Sequence, residues 1–342
     1  MFPRHSSIPA LLSVLILLLA CILGCKATAP APSWTKTKLL AQKEDHPSKI
    51  ISDGSFVYFV TGAGTIAAKN EGTNNIKRIS LKDGSVSVLV KGGEHFSSDA
   101  LAVDEKFLYW SDGGTILRVP KTGGESESIV SDAPGSPAEM VVDNDNIYWL
   151  IWSGGEKPHP VPVMFAPRKG GAAKQLAPPQ TGANGICIDG DSVYWTTPGG
   201  IKKAPKIGGD ATFVLENTSP SPTVGLVCDA ENFYYAQMDD SGHSTLMKLS
   251  KRGGAPTQIG LAINHTFEFA ADDANIYYFD DYPFDSESGD RMIGTVALLR
   301  TAKNGRETVI LDHGQAGWVK YIAVDKTQVY FTDIVNVYAL AK

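Results

Sequence analysis

Seven times along this chain an aspartate is followed, five residues later, by a tyrosine flanked by large apolar side chains. The phrase reads Asp53…Tyr58-Phe59, Asp104…Tyr109-Trp110, Asp143…Tyr148-Trp149, Asp189…Tyr194-Trp195, Asp229…Tyr234-Tyr235, Asp272…Tyr277-Tyr278 and Asp325…Tyr330-Phe331. Val57, Leu108, Ile147, Val193, Phe233, Ile276 and Val329 precede the tyrosines, which lie 51, 39, 46, 40, 43 and 53 residues apart. A strand with one wet face alternates apolar and polar residues, so three large residues in a row predict a strand covered on both faces. A short apolar run ending at each aspartate predicts a strand before it. A third strand ends in a basic residue at a glycine turn, and a β-branched or leucine-rich fourth follows. After residue 34 no stretch carries helical periodicity.

Four short strands in each unit of about 40–50 residues predict an all-β, seven-bladed β-propeller of four-stranded antiparallel blades. Each blade is sandwiched between two others, which explains the apolar triplets: the tyrosine packs toward one neighbour and its flanking residues toward the other. The aspartate is expected to tie down the turn between the first two strands with its carboxylate. The seventh unit ends at Lys342, where the other units have the basic residue of their glycine turn, so it lacks a fourth strand. Residues Trp34–Ala41 are expected to supply that strand and close the ring, removing the open edge of a linear array.

Residues 1–24 read as a leader. Arg4 precedes the apolar block "LLSVLILLLACIL", which is too short for a membrane helix of ~20 residues. Ile22-Leu23-Gly24-Cys25 resembles a bacterial lipoprotein cleavage box, which implies cleavage before Cys25, acylation of that cysteine and a lipid anchor in the membrane. By the same resemblance Lys26 implies the outer membrane, with the protein facing the periplasm or the outside. Residues 25–33 form an Ala/Pro tether, and residues 34–342 form the propeller. With Arg4 removed the chain has 30 basic and 37 acidic residues, a net of −7, which excludes the electrostatic footprint of a nucleic-acid binder. The expected state is a monomer.

The segment "AVDEKFLYWSDGGTILRVPKTGG" (102–124) closely resembles the YWTD repeat of low-density-lipoprotein-receptor propellers, with echoes at "VYWTT" (193–197) and "VYFTD" (329–333). Those receptor domains have six blades where seven are counted here, so the resemblance implies the fold and not a receptor. The chain also resembles the bacterial secreted propellers that include virginiamycin B lyase. A propeller hosts binders, scaffolds, lyases and lactonases alike, so function rests on the site.

Loops from second to third strand, and from blade to blade, gather at one end of a propeller, the top. The longest belong to the first, third and sixth units, where function tends to sit. Trp152 in the third is a candidate anchor for a protein or a sugar. His46, His95 and His265 precede their aspartates by similar distances and fall near the channel mouth. A metal-assisted lyase or lactonase would need such groups there. Asp281 and its acidic loop, with Asp239 one unit earlier, offer hard oxygen atoms for a divalent cation such as Ca2+, although "DSESGD" has no calcium-loop spacing. No cofactor is predicted. At the opposite end Lys82, Lys121, Arg168, Lys206, Lys251, Lys303 and Lys342 form a ring of basic turn residues, either solvated or facing anionic lipid. Cys187 and Cys228, on the first strands of adjacent units, either face each other as a disulfide or point apart. Two functions follow: a tethered, non-enzymatic binding or scaffold module for an envelope protein or carbohydrate, or a propeller enzyme with a metal at the channel mouth.

Overall fold

The computed structural model describes residues 34–62, 74–92, 96–151, 159–217, 222–241, 243–264, 268–281, 295–315 and 321–342. Among them twenty-eight strands form seven four-stranded antiparallel sheets, and there is no helix. Blade 1 is typical: Ser48–Ser52, Phe56–Thr61, Asn75–Ser80 and Val86–Lys91 hydrogen-bond in sequence order. The seventh sheet differs. Its order is Lys38–Gln42, Asn336–Ala341, Gln328–Thr332, Ile322–Val324, so an N-terminal strand provides its outer edge.

That closing strand starts later than the hydrophobic pattern suggests, because residues 35–37 have another partner. The backbone N–H groups of Thr35, Lys36 and Thr37 donate to the Asp312 carboxylate at 3.2, 2.9 and 3.1 Å, and the Thr35 hydroxyl adds a fourth bond at 2.9 Å. Asp312 lies on the outer strand of blade 6 (Thr308–Gln315) and is 2 % exposed. Trp34 packs on Phe331 with ring centroids 4.7 Å apart and reaches Phe279 and Tyr338. The N-terminal segment therefore clasps blade 6 before it completes blade 7.

Seven apolar clusters occupy the seven seams between blades. At the seam of blades 1 and 2, Tyr58 packs with Leu101, Leu108 and Trp110, while Val57 and Phe59 pack with Tyr330 and Val337 of blade 7. Tyr148 likewise faces blade 4, with Ile147 and Trp149 turned to blade 2. The tyrosine thus points to the following blade and its neighbours to the preceding one, as strict alternation along a strand requires.

At the end where the first two strands of each blade meet, the repeated aspartate has more partners than its turn. In blade 2, Asp104 Oδ1 accepts the N–H groups of Lys106 and Phe107, both at 2.7 Å, and Oδ2 accepts the Tyr109 hydroxyl at 2.6 Å. The Arg168 guanidinium of blade 3 joins Oδ2 at 2.5 Å. The cation of the next blade recurs at the aspartates of blades 1 to 6: Asp53 with Lys121, Asp143 with Lys206, Asp189 with Lys251, Asp229 with Lys303 and Asp272 with Lys342, at 2.5–2.9 Å. Blade 4 is a variant, with Asp189 paired to Ser192 across a shorter turn and Tyr194 packed on Phe233 instead. These locks correct the expected ring of free or lipid-facing basic residues, because six of its members retain only 11–25 % side-chain exposure. Lys82 is not the seventh. Leu81 holds the equivalent place, its N–H bonded to Ser55 as that of Lys121 is to Lys106, and it joins the apolar seam between blades 7 and 1. At that seam Asp325 is approached by the Ser52 hydroxyl, at 3.5 Å.

Removing the two ends of a lock is expected to have unequal effects. Asp229→Ala strips partners from two turn N–H groups, a phenol and the Lys303 ammonium, and should cost about 3 kcal/mol. Lys303→Met leaves the Asp229 carboxylate three other donors and should cost about 1 kcal/mol. Equal losses in urea melts of the two variants would contradict this assignment.

Cys187 and Cys228 are bonded across the seam of blades 4 and 5, with their Cα atoms 6.1 Å apart. Beside them the first strands touch so closely that a Cβ on Gly185 would lie 2.6 Å from the Gly225 backbone, and Gly185 has a φ of +67°. The bridge closes a loop spanning 41 residues, which by chain entropy stabilises the ring by about 4 kcal/mol. The expected result is no reactive thiol from either cysteine in denatured, unreduced protein, and a lower Tm after reduction; two free thiols would refute it.

Candidate functional site

The end opposite the locks is where the sequence placed its candidates. His46 is on the surface there, in the link from the closing strand to blade 1, with Nδ1 2.9 Å from Asp45 Oδ1. The link is pinned at several points. Glu44 donates its N–H to Val335 and is buried against Lys77, with Oε2 2.5 Å from Nζ, and the Asp45 carbonyl accepts the Gly62 N–H. Lys43 and His46 both adopt left-handed backbone conformations, with φ of 58° and 47°. Each such residue costs about 1 kcal/mol or more without a glycine, and the surrounding bonds hold it in place.

Closer to the axis, Lys49 Nζ lies 3.2 Å from Glu268 Oε1. Lys49 belongs to the first strand of blade 1 and Glu268 precedes that of blade 6, so the pair passes blade 7 on the channel side. Asp239 stands apart in the second-to-third hairpin of blade 5. Its Oδ1 accepts the N–H groups of Ser241 and His243 at 2.8 and 3.0 Å, and Oδ2 lies 3.6 Å from His243 Nδ1. Asp239 is therefore a turn residue on the surface. Asp281 ends the second strand of blade 6, its backbone paired with Val296, and its side chain lies outside the described residues. Trp152, His95, His265 and Cys25 also lie outside them, as do Asp285, Glu287 and Asp290 of the loop after Asp281. Of the expected constellation, the structure thus places His46 and Asp239 on different blades without bringing them together. Among the described residues no three His, Cys, Asp or Glu side chains form a group suited to a metal ion.

The opposite end holds a cleft of about 490 Å3 between blades 2 and 3, lined by Val103, Phe107, Arg118, Val142 and the Asp104–Arg168 lock. Asp104, Arg168 and Arg118 are already engaged there, while Glu105, Lys106 and Lys169 at its rim are exposed. Arg118 is bonded to Glu127, donates to the Arg168 carbonyl at 2.8 Å and lies 4.4 Å from the Phe107 ring centroid.

Sequence reasoning missed two carboxylates. Asp333 begins an eighth copy of the aspartate-to-tyrosine spacing, in the top hairpin of blade 7: it accepts the N–H groups of Val335 and Asn336 and the Tyr338 hydroxyl at 2.8, 2.7 and 2.8 Å. The spacing Asp333-x3-Val337-Tyr338 was available to reveal it. Asp312 carried no comparable signal, because its partners lie 275–277 residues away.

The ionisations follow this geometry. At Asp53, Asp104, Asp143, Asp229, Asp272 and Asp325 burial opposes the charged form, but donor bonds and, in all but Asp325, the next blade's cation outweigh it and lower the pKa, at Asp272 to about 2. Asp312 is lowered in the same way by the N-terminal N–H groups. The lock phenols move up, through burial first and then the adjacent carboxylate, Tyr148 to about 12.

No protein-family model matches the chain, and no curated protein matches it. Solved structures are similar over nearly the whole chain. An oligogalacturonate lyase in complex with manganese is 12 % identical, with a TM-score of 0.63 over 91 % of this chain and 96 % of that one. The WD40 propeller domain of Doa1 is 12 % identical, with a TM-score of 0.62 over 91 % and 97 %. BamB from Moraxella catarrhalis is 11 % identical, with a TM-score of 0.57 over 90 % and 98 %. At such identities the likeness is one of fold, shared by an enzyme and by proteins of other kinds.

Proposed function

We propose that this chain is a lipid-anchored β-propeller of the bacterial cell envelope that acts as a binding or scaffold module, presenting its top face to a protein or carbohydrate partner. What supports this is where the displaced ionisations fall. In enzymes strongly perturbed groups gather in the reacting cleft. Here, among the described residues, every carboxylate with a displaced pKa belongs to a blade lock, a surface turn (Asp83, Asp239) or the Asp312 clasp. The raised phenols lie in locks, in blade interiors as Tyr235 and Tyr278, or, as Tyr338, on the Asp333 turn that fixes the top hairpin of blade 7. The recurring carboxylate, phenol and ammonium are thus taken up in joining blades, and a rigid ring carrying loops is a scaffold for recognition. The Cys25 box and the tether support the address.

Photo-crosslinking in living cells tests the reading. A photoreactive residue at Asp239, on the top of blade 5, is expected to give an adduct of one defined mass. The same residue at Ile207, on a bottom turn, is expected to give none. Absence of top adducts, together with purified protein carrying one divalent ion and cleaving a polysaccharide or lactone, would replace the binder with the enzyme.

A further inference from the structure

Eight large apolar side chains are exposed among the described residues, and six of them lie on three consecutive blades. Ile310 is on the outer strand of blade 6, Leu39, Ile334 and Val335 on blade 7, and Val86 and Val88 on the outer strand of blade 1. The other two belong to blade 4, where the Lys202 ammonium lies 4.6 Å from the Phe213 ring centroid. Ile334 and Val335 are the tip of the top hairpin of blade 7, 38 % and 44 % exposed, and the Asp333 bonds fix the base of that hairpin. The corresponding turns of blades 2 and 4 are built from Asp112-Gly113-Gly114 and Pro198-Gly199.

The chain joins the folded unit in this same sector. Trp34 is wedged between blades 6 and 7, and the residues after it run along blade 7 with Lys36, Lys38 and Lys43 exposed and no acid from 34 to 43. Lys36 Nζ also donates to the Leu311 carbonyl. The acid nearest in space, Asp312, is taken up by the N–H groups of residues 35–37, and the next in sequence are Glu44, paired with Lys77, and Asp45, hydrogen-bonded to His46. Lysines beside a fixed apolar tip suit an anionic lipid surface, ammonium to phosphate and aliphatic side chain to the acyl boundary.

We infer that the edge of blades 6, 7 and 1 around Trp34, with the Ile334–Val335 tip, rests on an anionic phospholipid surface. Resting on the lipid anchor proposed above, this orientation follows from the tether: residues 25–33 reach only about 30 Å even when extended, so the sector where they attach is held nearest the lipid. Each lysine near such a surface strengthens contact about fivefold. Blades 2 to 5 then face away, toward a partner.

The test uses the full acylated protein with Val335→Cys labelled by an environment-sensitive fluorophore, the other folded cysteines being bonded to each other. On vesicles of equimolar phosphatidylglycerol and phosphatidylethanolamine the label is expected to brighten and shift to the blue. On phosphatidylcholine it should do neither, and a label at Ile207→Cys should stay unchanged on both. Adding Lys38→Glu and Lys43→Glu should abolish the change at 335 without altering Tm. Flotation with the vesicles reports the anchor separately. Protein that floats with no change at 335, or with equal changes at 335 and 207, overturns the orientation alone. Protein that fails to float overturns the anchor and the orientation together.

Discussion

A chain lacking residues 34–42 should melt on the order of 10 °C below the intact one. Three losses combine. Trp34 leaves its cage of Phe279, Phe331 and Tyr338, and truncating a packed tryptophan costs about 3–5 kcal/mol. The Asp312 carboxylate loses three backbone N–H donors and a hydroxyl, and remains buried on blade 6. The Asn336–Ala341 strand becomes an open edge, with the buried Ala41 gone from the seam beside it. At roughly 2 °C per kcal/mol for a domain of this size, the first two terms suffice. Asp312→Ala isolates the clasp: the closing strand stays in the chain, yet about 3 kcal/mol should be lost because the N–H groups of residues 35–37 lose their acceptor. Scanning calorimetry of the two variants checks both, and an unchanged Tm for the deletion would mean that the ring closes without its N-terminal strand.

The second large effect is on acid stability. A lock aspartate has its folded pKa held below its value in the unfolded chain, near 3.9. Its contribution is therefore complete above about pH 4 and disappears as pH falls through the lowered folded value. For Asp272, lowered to about 2, this is about 2 kcal/mol. Asp53, Asp104, Asp143, Asp229, Asp312 and Asp325 move in the same direction, so the protons taken up on unfolding should add to a steep loss between about pH 4 and 2. The phenols act at the other limit. Raised folded values mean that their contribution is complete below about pH 10 and declines as pH rises through them. Tm should thus be nearly flat from about pH 5 to 9 and fall steeply on the acid side. A Tm that declines steadily from neutrality down to pH 5 would contradict the locks. Asp272→Asn should flatten the acid limb.

Much of this was legible in the sequence. Seven repeats, the four strands of each, the double-sided burial of the tyrosine strand and the use of an N-terminal strand for closure all follow from short-range pattern. The side chains of a strand alternate with a period of two, and a triplet of large residues leaves no face for water. The charge arrangement was half legible. One acid and one base recur in each unit, but nothing local says that Asp104 meets Arg168, 64 residues on, or that Leu81 takes the cation's place at the closing seam. The candidate site was least legible, because the top loops follow no repeat. His46 and Asp239 looked alike in sequence as possible ligands, and each proved to be held in its own turn.

Sequence alone determined which segments are strands and how many blades they build, since both depend on alternation over a few neighbouring residues. Only the tertiary structure decided the partner of each charge: the lock cations, the clasp at Asp312, the exposed sector around Trp34. The physical reason is that these contacts depend on the angle between successive blades. That angle brings the end of one blade over the end of the last, and it is set by how seven packed seams fill space together.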